Sequence, residues 1–139
     1  MPSSNHARNT SIGLLILRVG TSALLFYRHG WPKLQNFAER SQTFSDPLGV
    51  GSAASLTLVL FAEFVCATLV ALGFLTRLAT VPIIIFMLVA VFVQHAADPF
   101  AKKELAIVFG ITYLALLFTG PGRFSCDALI GRLWSRKRS

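Results

Sequence analysis

The stretch LVLFAEFVCATLVALGFL, residues 58–75, runs for eighteen residues with one charged side chain, Glu63, near its middle. An α-helix needs about 20 residues to cross a hydrocarbon core, and in lipid only helices and closed barrels satisfy their own backbone. One such run therefore confines the chain to very few architectures. Four apolar segments are legible, at about 12–31, 53–75, 77–95 and 102–119. The last two reach spanning length by borrowing polar ends, Thr76 and Arg77 in one case and the snorkelling Lys102 and Lys103 in the other. Pro82 falls within a turn of the start of the third segment, where a missing amide does least harm. The first segment has a single Arg before it, is cut by Arg18 and lacks an A-x-A site, so it is expected to be a retained span and not a leader peptide.

Composition agrees. Hydrophobic residues make up 54% of the 139 and charged ones 14%, against roughly a quarter in an ordinary soluble domain. The expected fold is all-α: a transmembrane four-helix bundle forming a single domain over residues 1–139, with an interfacial amphipathic C-terminal helix. That helix lies in the basic tail 123–139, where Leu129, Ile130, Leu133 and Trp134 alternate with Arg132, Arg136, Lys137 and Arg138. The connection at residues 32–51 is long for a bundle, and Leu34, Phe37 and Phe44 suit a short surface helix there.

The net charge of +7 follows topology, with no basic stripe for nucleic acid. Four spans place Arg8, Arg77, Arg123, Arg132, Arg136, Lys137 and Arg138 on one side and Lys33, Arg40, Lys102 and Lys103 on the other, with Arg28 close by. By the positive-inside rule both termini are cytoplasmic. Cys66 and Cys126 lack the spacing of a disulfide framework, a redox dithiol or covalent haem attachment, and no nucleotide-binding glycine pattern occurs.

Charged groups in the apolar segments carry the functional signal, since each costs about 2.5–3.5 kcal/mol at mid-bilayer unless it faces a partner or a wet interior. Arg18 lies roughly 9 Å from one end of its span and Glu63 roughly 15 Å from the other end of the next, so the two are expected to pair. Gly20, Ala62 and Ala67 would let the backbones approach. Such a pair serves either as a structural link or as a proton relay. A second polar group gathers at the opposite mouth: His29 and Trp31, Gln94 and His95, and Glu104. Eleven residues separate Arg18 from His29, which returns to one helix face with Ser22 between them. Metal is not expected, because no two candidates share a tight local spacing. Interfacial anchoring of the rings, or a polar-headed lipophile such as a quinone held by His29, Trp31, His95 and Glu104, are the remaining readings.

Three stretches resemble the DoxX family of small four-span bacterial membrane proteins: LRVGTSALLFYRHGWPKL at 17–34, AEFVCATLVALGFLTRLAT at 62–80, and ELAIVFGITYLALLFTGPGRFSCDALI at 104–130. The ending GPGRFSCD looks like that family's GPGR-[YF]-S-x-D signature. The resemblance marks Arg18, His29, Gly30, Glu63, His95 and Glu104, and implies a bacterial inner-membrane protein linked to redox systems, at most one subunit of a quinone-linked oxidoreductase. It implies a redox partner subunit and leaves a homo-oligomer open. A non-catalytic scaffold and a small solute or metal transporter working as a dimer are the competing classes.

Overall fold

The computed structural model describes residues 3–138, and among these the chain forms six helices and no strand. They are α1 (Ser4–Gln35), α2 (Phe37–Thr43), α3 (Ser52–Leu72), α4 (Thr76–Gln94), α5 (Phe100–Thr119) and α6 (Cys126–Lys137). Three of them, α1, α3 and α4, are long and apolar enough to cross a membrane. The fourth expected segment forms as α5, which has the length but carries Lys102, Lys103 and Glu104 in its first turns. The first helix overruns its expected boundary of 31 and absorbs Pro32 and Lys33, while the short surface helix and the tail helix appear as α2 and α6.

Helix α4 packs along α5, and α1 packs along the last turns of α3. Their shared core is made of Leu25, Ala62, Cys66, Val70, Ile83, Phe109 and Tyr113, among others. Small residues set the spacing. A Cβ on Gly30 would stand 3.2 Å from the Glu63 carbonyl oxygen, so α1 and α3 touch backbone to backbone at that level. The outer faces stay greasy: Ile16, Leu78, Phe92, Ile111 and Phe118 are each more than 60% exposed, which an aqueous solvent would penalise and acyl chains would not.

Each of α1, α3 and α4 widens into a π turn, at Leu25–Gly30, Phe61–Cys66 and Ala90–Gln94. All three lie toward the end of the bundle capped by residues 32–51, here called the loop end. At the other end, the hairpin end, α3 stops at Gly73, whose φ of +70° gives a left-handed cap with Gly73 N–H on Val70 O and Phe74 N–H on Leu69 O.

Candidate functional site

The expected ion pair between Arg18 and Glu63 does not form. Both side chains are buried, at 1% and 2% exposure, but each finds a different partner. The guanidinium of Arg18 donates through Nη1 to the carbonyls of Val70 and Ala71, and through Nη2 to that of Phe124. Glu63 accepts from Lys33 Nζ at both oxygens, 2.9 Å at Oε1 and 2.6 Å at Oε2. The reason is the slant of helical side chains, which tilt toward the N-terminus of their own helix. On α1 that direction is the hairpin end, and on the antiparallel α3 it is the loop end. Arg18 and Glu63 therefore reach away from each other.

At the hairpin end Arg18 finds the last carbonyls of α3, which have no intrahelical partner and carry the negative end of the helix dipole. The same place holds the segment after α5. Asp127 spreads its carboxylate over Leu75 N–H (2.8 Å) and Thr76 N–H (3.0 Å), capping α4, while its own N–H bonds Gly73 O at 2.9 Å. Ser125 caps α6 by accepting from Ala128 N–H at 3.1 Å. A Cβ on Gly73 would fall 2.5 Å from Ser125 Cβ and 2.9 Å from Arg18 Nη1, so only glycine fits. Residues 122–127 thus act as a clasp that ties the chain's last segment to α1 and to the turn between α3 and α4.

The loop end is built differently. Lys33 is 16% exposed and stands just beyond the first π turn, with Glu63 inside the second. Beside them, between α3 and α4 and beneath residues 44–48, lies a cavity of about 510 Å³. Its walls are mostly apolar, including Leu58, Phe61, Ile85 and Phe86, with Lys33, Ser45, Ser55, Gln94 and His95 as the polar members. Four hydrogen bonds hold the cover. Ser45 Oγ donates to Gln94 Oε1 at 2.7 Å, and Asp46 accepts from Val50 N–H, Gly51 N–H and Ser55 Oγ at 2.9, 2.7 and 2.8 Å. The Ser55 hydroxyl and the two amides hold the Asp46 carboxyl below its usual range.

The sequence-expected head-group residues are scattered over this end. His95 is on the cavity wall, its Nδ1 2.7 Å from Asp98 Oδ2, and that bond together with Lys102 keeps Asp98 below the usual carboxylate range. His29 packs edge-on against Phe109, with ring centres 5.9 Å apart, and is off the cavity wall. Trp31 is 43% exposed and stacks near Phe26, and Glu104 is exposed with no hydrogen bond to the described residues. The inward polar face of α1 does form: Arg18 and Ser22 are buried, and Ser22 Oγ meets the Tyr113 hydroxyl at 3.0 Å. Among the described residues no three His, Cys, Asp or Glu side chains are grouped to hold a metal ion. Sequence reasoning missed Lys33. Its signal was its place four residues after His29 on a helix face, hidden by Pro32, which looked like a helix stop.

Comparison with known proteins agrees with this architecture. The chain is 30% identical over 127 residues to "Inner membrane protein YqjF" of Escherichia coli (strain K12), covering 88% of this chain and 95% of that protein. It is 35% identical over 86 residues to "Uncharacterized membrane protein Rv3486" of Mycobacterium tuberculosis (strain ATCC 25618 / H37Rv), covering 50% of this chain and 52% of that protein. No solved structure matches. The DoxX family profile matches residues 13–96, a region holding Arg18, Lys33, Glu63 and the cavity walls but not the clasp. Length, helical pattern and both similarities lead to one assignment: the chain belongs to the DoxX family.

Proposed function

We infer that this chain is a multi-pass inner-membrane component of a redox system that binds a quinone-type lipophile in the cavity at its loop end. The cavity carries the reading. Its volume lies within the range of small-molecule sites, and apolar walls with a few polar groups are the usual make-up of such a site. A ring head group would meet His95 and Lys33 while its tail runs between α3 and α4. In this reading α5 is the fourth span, supported by its outward Ile111 and Phe118, and α6 lies in the interface. Charge bias supports cytoplasmic termini, and the name of the E. coli relative supports the inner membrane. His29, Trp31 and Glu104 do not line the cavity, and Arg18 belongs to the clasp.

Titration of the purified protein with decylubiquinone tests this. Saturable binding that weakens in His95→Ala is expected; no saturable binding removes the reading.

A scaffold role within a membrane complex is favoured by one observation, the exposed Leu129, Leu133 and Trp134 of α6 beside its basic residues. Co-purification of partners with the full chain, lost on removing residues 128–139, is its expected outcome.

A further inference from the structure

The cavity's polar anchor has a property that limits what can sit there. Lys33 and Glu63 together are neutral, and an ammonium has three N–H donors. Two of them go to the two oxygens of Glu63, and the third has no partner among the described residues although Lys33 is on the cavity wall. Glu63 itself is 2% exposed, so it is closed to a ligand. The Ser45 and Ser55 hydroxyls have spent their protons on Gln94 and Asp46 and can no longer donate to a ligand carbonyl, and His95 is engaged with Asp98 through Nδ1. What Lys33 offers the cavity is one free N–H from a pair with no net charge.

From this we propose that Lys33, locked by Glu63, is the hydrogen-bond anchor for an uncharged, carbonyl-bearing lipophile, and that the pair excludes lipophiles with ionised heads. A carboxylate entering the cavity would bring a negative charge beside an already neutralised lysine, in walls too apolar to solvate it. An ammonium head would meet the same lack of a counter-charge. A ketone, ester or quinone oxygen needs only the free N–H. The entrance is lateral. Leu58, Phe61 and Ile85 line the cavity and are also 57%, 48% and 55% exposed, so the opening between α3 and α4 faces the acyl chains of the bilayer, while residues 44–48 cover the top.

The proposal rests on the cavity being a ligand site, but it does not require a quinone. The full-length protein in detergent is mixed with tritiated 2-dodecanone, and decylubiquinone, dodecanoate and dodecylammonium are used as competitors. Expected is saturable ketone binding that dodecanoate and dodecylammonium displace at least about tenfold more weakly than decylubiquinone does. Glu63→Gln leaves a net cation at the anchor and should reverse the order in favour of dodecanoate, while Lys33→Met, which has no N–H to donate, should abolish ketone binding. Ketone binding that decylubiquinone cannot displace keeps the anchor and removes the quinone reading. Quinone binding that is indifferent to Lys33→Met, or charged heads competing as well as neutral ones, overturns the anchor and leaves the quinone reading standing. Should the variants fail to fold, the competitor order on the unaltered protein alone decides.

Discussion

The two ends of the bundle solve the same problem in opposite ways. Each must bury an ionised side chain deep among helices, Arg18 at one end and Glu63 at the other. At the hairpin end the two terminal guanidinium nitrogens bond backbone carbonyls of two separate segments, and Arg18 does not line the cavity of about 410 Å³ found there beside Leu75, Thr76, Arg77, Thr119 and Asp127. At the loop end the anion is satisfied by one flexible side chain, and the cavity lies alongside. Backbone partners cannot leave without unfolding a helix end; a lysine can turn. The difference separates a part that holds the molecule together from a part able to exchange its contacts.

Substitutions can break that contrast, beginning with the largest effect. Arg18→Met orphans the carbonyls of Ala71 and Phe124, leaves Val70 O to Gly73 N–H alone, and should lower stability in detergent by about 4 kcal/mol. Denaturant titration should also show α6 loosened from the rest. Lys33→Met leaves Glu63 buried without a partner and should cost about 3 kcal/mol, much of it recovered when Glu63→Gln is added. By contrast, Arg18→Met and Glu63→Gln should add to within about 0.5 kcal/mol, as separate sites do. A large coupling between them would restore the pairing expected from sequence and remove the two-ended picture.

Smaller effects sharpen it. Asp127→Asn weakens the cap on Leu75 and Thr76 and should cost about 1 kcal/mol, read as a lower thermal midpoint with ligand binding unchanged. Asp46 gives a pH signature specific to the loop end. Its carboxyl is held below the usual range in the folded state, so its contribution is fully present above the unfolded carboxylate range and fades as pH falls through the depressed value. Thermal midpoints measured from neutral pH downward should therefore fall less steeply in Asp46→Asn than in the parent chain.

Much of this was legible in the residues before the structure. Apolar run lengths located the long helices, and alternation of Leu129, Leu133 and Trp134 with arginines located the tail helix. Burial of Arg18 and Glu63 followed from the cost of charge in oil. Their partners did not follow, because depth alone was compared and the opposite slant of side chains on antiparallel helices was left out. The clasp was hidden for another reason: a guanidinium bound to carbonyls leaves no mark in side-chain composition. The cavity depends on how residues 44–48 fold back over Gln94, which no local pattern encodes.

The π turns have a consequence for how the family can vary. Each accommodates one residue more than a regular helical turn, and that extra residue rotates everything beyond it by roughly 100° about the axis. Lys33 follows such a turn by three positions, so its heading toward Glu63 is written in the local tally of residues as much as in the lysine itself. Deleting the extra residue between Leu25 and Gly30 would let the turn close to α geometry and keep Lys33 on the same flank, whereas a regular α turn over the full set of residues would swing the ammonium away. Relatives should therefore keep or lose the inserted residue and the wide turn together.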